Sequence, residues 1–484
     1  MRPRAVFAAG LLLAGCAAGP DFQPPAPPAA QGYRPASGER AALATPGAPS
    51  YRAGAEVPAQ WWQAFGSPAL DRLVERALAA NPNLEAAGAA LRAAQETAAA
   101  QRGAFWPQVG ASFNPTRQKI ADNQSSALNS GANLYSLHTA QLNVSYNADV
   151  FGGNRRAVES LEAQAEAQRY ELEAARLAIA GNTVVTAIQE ASLRGQIAAT
   201  ERLATLQTEL LALARRQFEL GAIARAGVVA QEAALAQTRA MLPPLRKQLA
   251  QTRDLLTALT GAYPDSELAE TFELDQLHLP DELPLSLPSQ LVEQRPDVRA
   301  AEAQAHAACA QVGVAFAAAL PQFSIDASVG SVATRLADLF KGGTGFWTLA
   351  GSVAQPLFAG GALGHRKAAA EATYEQALAQ YRATVIAAFQ NVADAVHALD
   401  QDSEAAAAND TALDAATRGL DLARRQLELG DISQLALLNA EQTYRQAQIA
   451  QVQARAGRYA DAAALYQALG GGWRQEAPAA VVSD

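Results

Sequence analysis

The apolar positions of this chain follow two periods, and the alternation between them lays out the elements. Short stretches alternate residue by residue. Leu142, Val144 and Tyr146 stand among Gln141, Asn143 and Ser145, while Phe323, Ile325, Ala327 and Val329 stand among Ser324, Asp326 and Ser328. Trp347, Leu349 and Val353 alternate with Thr348 and Ser352, and Val109 to Phe113 is a weaker fourth stretch. Strands with one apolar and one polar face suit either a soluble sandwich or a membrane barrel with a wet lumen. The loops of the two hairpins fall near Asp122 to Asn133 and Leu336 to Gly345.

The rest of the patterned sequence has helical spacing. A short helix is predicted from Leu70 to Ala80, and a second from Asn81-Pro82, where Pro suits a first turn, to about Phe105. The longest runs from Gly153 to Leu220, about 100 Å at 1.5 Å per residue. Ala165, Leu172, Ile179, Thr186 and Leu193 fall seven apart in it, a coiled-coil-like seam softened by Gln and Asn. Such a helix cannot bury its stripe against short neighbours and needs a bundle. A return helix is expected from about Ala230 to Leu259, bent where Pro243-Pro244 remove two backbone donors. The second half repeats this with helices from about Leu363 to Leu429 and Ser433 to Leu469.

The repetition extends to the residues themselves. LARRQFELG at Leu213 to Gly221 returns as LARRQLELG at Leu422 to Gly430, with only Phe218 and Leu427 differing. NPNLEAAGAALRAA from Asn81 answers RPDVRAAEAQAHAA from Arg295, and Trp106-Pro107-Gln108 answers Leu320-Pro321-Gln322. The chain therefore reads as two copies of one unit: helix, strands, very long helix, tip turn, helix. The expected organisation is a leader over 1–16, an extended tether over 17–60 and a first repeat over 61–263. A Pro-rich linker over 264–290, a second repeat over 291–470 and a tail over 471–484 complete it.

Composition narrows the function. A net charge of −9 without basic clusters leaves no electrostatic footprint for nucleic acid. No interior run of apolar residues is long enough for a membrane-spanning helix. The histidines at 138, 278, 306, 365 and 397 show no metal-ligand spacing, and no nucleophile elbow, phosphate loop or CxxC is present. No catalytic constellation, cofactor site or metal site is expected, and so no enzyme.

Two cysteines occur, Cys16 and Cys309. Arg2 and Arg4, an apolar run from Ala5 to Leu13, then Ala14-Gly15-Cys16 form a leader with small residues before a cleavage point. The order Leu13-Ala14-Gly15-Cys16 resembles a bacterial lipobox, which implies lipidation at Cys16; a plain secretory leader is the alternative. Cys309 lies in an Ala-rich helix and is expected to be a small buried residue.

Four strands pose a closure problem. Known outer-membrane barrels have at least eight, and an open edge in lipid leaves backbone groups unpaired at several kcal/mol each. The hairpins must form a small soluble sheet or close with other copies of the chain.

GPDFQPPAPP after Cys16, the Trp61-Trp62 entry, the Phe-Gly turns before Arg155 and Arg366, the doubled RRQxELG and the closing YQALGGGW belong together. In combination they resemble the outer-membrane factor (TolC-like) family, in its OprM-like lipoprotein branch. The resemblance covers essentially the whole mature chain. It implies a mainly α fold with a membrane β-barrel: a homotrimer sharing one twelve-stranded β-barrel and a periplasmic α-barrel of long helices. It also implies a passive exit duct in the outer membrane lipid, coupled to an inner-membrane RND-type pump through a periplasmic adaptor. A duct for type I protein secretion and a lipid-anchored coiled-coil scaffold without a pore remain as alternatives.

By the same resemblance, the helix ends after Gly221 and Gly430 are tip turns at a gated periplasmic aperture. Leu435 matches the family's constricting Leu. Asn439 and Gly227 stand where the family commonly has Asp, with Arg225 close by. Leu435 as ordinary helix packing is the competing reading. An Asn ring keeps hydrogen-bonding capacity without charge, which predicts a weaker cation preference than a carboxylate ring. Glu441 and Arg445 are spaced for a surface ion pair within one helix.

Overall fold

The structure, a computed structural model, describes residues 18–26, 28, 32–33, 50–121, 123, 131–280 and 282–473. Cys16 and its leader, most of the tether and the end of the tail lie outside them. In chain order the elements are β1 (Ser50–Ala53), α1 (Pro68–Ala80), α2 (Pro82–Arg102), β2 (Gln108–Lys119), β3 (Leu134–Ala148), α3 (Gly153–Glu219) and α4 (Arg225–Leu259). The second half holds β4 (Glu282–Leu285), α5 (Pro288–Gln294), α6 (Pro296–Ala317), β5 (Gln322–Ala333), β6 (Gly345–Ala354), α7 (Ala362–Leu429) and α8 (Gln434–Ala468). No described helix is long and apolar enough to cross a membrane.

Two compact units emerge, and each takes residues from both sequence repeats. The repeats are thus a division of the sequence, not of the packing, because hairpins and helices of the two copies pair with one another.

The first unit holds the described residues within 1–25, 90–168 and 301–381. Its centre is an antiparallel sheet in the order β2-β3-β5-β6. The register runs from Gln108↔Ser145 to Lys119↔Leu134, then His138↔Ala333 to Ala148↔Phe323, then Gln322↔Ala354 to Ser331↔Gly345. β2 is twelve residues long rather than the five the alternation marked, because Asn114, Thr116 and Gln118 continue the ladder without an apolar partner face. The chain's beginning packs here too. The Ala18 N–H donates to Phe151 O at 2.9 Å, and Arg156 donates to Ala18 O at 3.1 Å, Asp21 at 2.5 Å and Glu159 at 2.7 Å. Phe22 stacks on His306, whose Nε2 lies 2.9 Å from Glu159. Part of the expected tether is therefore docked. Cys309 is buried, as its setting among alanines predicted.

The second unit holds the described residues within 26–89, 169–300 and 382–484. Trp61, Trp62 and Phe65, on one turn of 3-10 helix, form an aromatic core with Tyr459 and Tyr466; the Trp61 and Tyr466 rings stack at 5.3 Å. Each such ring contributes about 1.5–3 kcal/mol by burial. Ser67 caps α1 by accepting from the Leu70 N–H, with Pro68 at the first helical position. Trp473 closes the core from the other end, donating to Gln294 O at 2.5 Å and meeting the edge of Tyr170. The Gly470-Gly471-Gly472 run before it lies entirely in the left-handed region, and a Cβ on Gly472 would sit 2.3 Å from Val57 O, so only glycine fits.

Two expectations change. The linker is not featureless: β4 pairs in parallel with β1 from Ser50↔Glu282 to Ala53↔Leu285, joining it to the tether. α4 begins at Arg225, several residues before the apolar stripe suggested, because Arg and Ala hold its first turn. Pro243-Pro244 lie inside it without ending it. Packing on α3 holds it there: Arg246 pairs with Glu201 at 2.7 Å, and Arg253 with the fully buried Glu190 at 2.8 Å.

Candidate functional site

The doubled RRQxELG builds the same cap twice. At the end of α3 the Gly221 N–H donates to Phe218 O at 2.9 Å and the Ala222 N–H to Gln217 O at 2.8 Å. At the end of α7 Gly430 donates to Leu427 O at 3.0 Å and Asp431 to Gln426 O at 2.9 Å. This is the Schellman arrangement, which needs a left-handed residue after the helix. Gly221 and Gly430 supply it at φ 75° and 78°. Each turn is followed at once by a returning helix, α4 or α8, the latter capped by Ser433 through the Ala436 N–H.

Beneath the turns lie two small apolar cores. Leu420, Ala423 and Leu437 pack with Leu210, Ile432, Ala440 and Tyr444 around them. Ala204, Leu211, Ala214, Val228 and Leu235 pack with Ile223. The residue of α8 that fills the core is thus Leu437, while Leu435 is 65% exposed. Leu435 takes no part in this core of the single chain: two residues along a helix is about half a turn, which puts Leu435 and Leu437 on different faces.

Asn439 lies one turn beyond Leu435 on the same face of α8, and is exposed. Arg225 opens α4 and is exposed, and Gly227 sits two residues into that helix, half-buried. Arg215 reaches across to Glu232 at 2.7 Å, and Arg424 lies 3.7 Å from Asp421. Cys16, the predicted lipidation site, lies outside the described residues, two positions before the docked Ala18.

The Glu441–Arg445 pair does not form. Arg445 donates instead to Thr238 Oγ1 at 3.3 Å, and Glu441 is fully buried with neither carboxylate oxygen hydrogen-bonded. Burial pushes its pKa up to about 7, against the pull of Arg424. The missed signal was the spacing of Leu437, Ala440 and Tyr444, which puts Glu441 beside the inward face of α8.

The sheet carries the second functional feature. Val109, Phe113, Leu142, Ile325, Val329, Trp347, Leu349 and Val353 point to one face and are all about half exposed or more. The other face is polar and knitted by side chains: Asn143 donates to Ser112 Oγ at 3.3 Å, Gln141 to Asn143 at 2.9 Å, and Ser324 bonds Ser352 at 2.8 Å. Among the described residues β2 and β6 each have one neighbour only, so two edges are open there. Among the described residues no group of His, Cys, Asp and Glu could hold a metal ion.

Comparison with known proteins agrees with this arrangement. Residues 73–262 and 287–471 match the profile of a family described as outer membrane efflux protein. The chain is 30% identical over 427 residues to the pyoverdine export outer membrane protein OpmQ of Pseudomonas aeruginosa, covering 86% of this chain and 88% of that one. It is 31% identical over 475 residues to the probable efflux pump outer membrane protein TtgC of Pseudomonas putida, covering 96% and 94%. Among solved structures it resembles the outer-membrane channel OprN, with a TM-score of 0.85 at 26% identity over 95% of this chain and all of that one. The open state of the Neisseria gonorrhoeae MtrE outer membrane channel gives 0.81 at 26% identity over 95% and 99%.

Proposed function

Because the chain belongs to the outer membrane efflux protein family, we propose that it is the exit duct of a tripartite efflux system and works as a homotrimer. It lies in the outer membrane and acts as a transport channel. Three copies place twelve strands in one barrel, with β2 of each chain closing on β6 of the next. The observation that carries this is the sheet itself: an exposed apolar face, a polar face knitted by hydrogen bonds, and two open edges that lipid would penalise.

The duct receives its substrates, drugs or other small molecules, from an inner-membrane RND-type pump through a periplasmic adaptor. The tip turns at Gly221 and Gly430 face that adaptor. Leu435, Asn439, Arg225 and Gly227 line the aperture, which fits the exposure of Leu435, Asn439 and Arg225 at the starts of α8 and α4. Cys16 carries the lipid anchor, and the docking of Ala18 beside the β3–α3 turn is what such an anchor near the barrel base requires.

Deletion of the gene, with drug susceptibility and accumulation of a fluorescent efflux substrate measured together, tests the proposal. Higher accumulation and lower resistance, both restored by the wild-type chain, are expected. Unchanged accumulation would contradict it.

A further inference from the structure

Two acidic side chains of the second unit are completely buried, and they are treated differently. Glu190 is held by Arg194 and Arg253, each 2.8 Å away. Glu441 has no such support: neither of its oxygens finds a hydrogen-bond donor among the described residues. Arg445, one turn further along α8, turns to Thr238 and to Met241 Sδ at 3.7 Å.

Beside it stand buried polar groups that also lack partners among the described residues. The Gln453–Gln196 bond at 3.1 Å, with Leu210 packed against the core that holds Leu437, fixes the antiparallel register of α3 and α8. One turn from Leu210 is Gln207, and one turn from Leu437 in the same direction is Glu441, so the two stand at one level. Gln207 is 5% exposed with its side-chain oxygen unpartnered. On α4, Gln231 is 1% exposed with neither amide atom partnered, about a turn away by the Arg445–Thr238 register. Native chains rarely leave such groups unpaired inside a seam, because each costs its desolvation. An uncharged Glu441 tolerates this seam; an ionised one does not.

We propose that Glu441 is a proton-operated lock on the tip: protonated, it lets the start of α8 pack against α3 and α7, and ionised, it loosens that packing and favours the open aperture. The proposal rests on the aperture reading above. The charged groups on the packed elements do not neutralise Glu441. On α7, Arg424 acts on it from a distance and stands by Asp421. On α3 and α4, Arg215 and Glu232 satisfy each other, and on α8 itself Arg445 is engaged elsewhere.

The direction follows from linkage. Burial raises the carboxyl from 4.5 in the loosened state to about 7 in the packed one. Below 4.5 both states hold the proton and pH has no effect. Between 4.5 and about 7 the packed state holds a proton that the loosened state releases, so packing weakens by up to about tenfold per pH unit per chain. Above that window the effect is level.

The test uses the full-length protein in planar bilayers and in detergent from pH 4.5 to 8. Open probability and amide exchange across residues 434–445, corrected for the intrinsic pH dependence of exchange, are recorded for wild type, Glu441→Gln and Glu441→Leu. The wild type is expected to open more and exchange faster as pH rises to about 7, with both variants flat. Retention of the wild-type pH dependence in both variants, or its absence in the wild type, would overturn the lock. A protein that never conducts overturns the channel reading instead, while the exchange arm still decides on Glu441.

Discussion

Leu142 of β3 stands directly across from Val329 of β5, at the seam where the hairpin of the first repeat joins that of the second. Both side chains point to the exposed apolar face, 49% and 56% accessible, while their neighbours Asn143 and Ser328 pair on the polar face. One register therefore aligns the two copies of the unit into a single two-faced sheet. A slip of one residue would turn every side chain of one hairpin to the wrong side.

An arginine on that face carries a charge into lipid. Val329→Arg is expected to cost about 2–4 kcal/mol per chain if the position lies near the bilayer midplane. The fraction of chain recovered in the outer membrane, against the periplasm, measures it. Ser328→Arg, on the opposite face, should leave that fraction unchanged.

At the tip, Gly430→Ala puts a Cβ on a residue at φ 78°. No atom lies within 4 Å of that Cβ, so the penalty is torsional alone, about 1–2 kcal/mol. Faster amide exchange in the turn, with an unchanged global melting temperature, is the expected outcome.

The uncharged ring predicts a selectivity change. Asn439→Asp adds one exposed carboxylate per chain at the aperture, and carboxylate rings favour cations. Reversal potentials in a salt gradient should move toward the cation value in the variant; equal potentials would remove Asn439 from the aperture.

Farther along the same helices, the carboxyl of Asp461 on α8 lies beside that of Asp402 on α7, and Gly457 leaves room for Asp402, since a Cβ there would lie 2.6 Å from Asp402 Oδ2. Burial first, and the neighbouring carboxylate second, raise Asp461 from 3.8 to about 7. Across that window the folded chain keeps a proton that the unfolded chain releases, so stability falls as pH rises and is level above it. Asp461→Asn should therefore raise the melting temperature by a few degrees at pH 8, with the gain vanishing near pH 4.

Much of this was legible in the residues because periodicity reports burial. The alternation around Leu142 and Val329 located the hairpins, and the repeated RRQxELG located both tip caps, since a Gly following a helix favours that turn. The pairing of β1 with β4 was hidden, because four-residue strands hold too few positions to show a period. Glu441 was hidden for another reason. A Glu four residues from an Arg reads as a surface pair, and only the packing of Leu437 reveals that the carboxyl faces inward. The docking of Ala18 to Asp21 on α3 rests on backbone and Arg156 contacts between distant segments, which no local pattern encodes.

The account stands on one requirement, that the open edges of β2 and β6 are closed by other copies of the chain. The mass of the detergent-solubilised full-length protein, measured by light scattering with the detergent contribution subtracted, tests this most directly. Three chains of 50.6 kDa, less any leader removed, are predicted. A single chain at all protein concentrations would contradict the account.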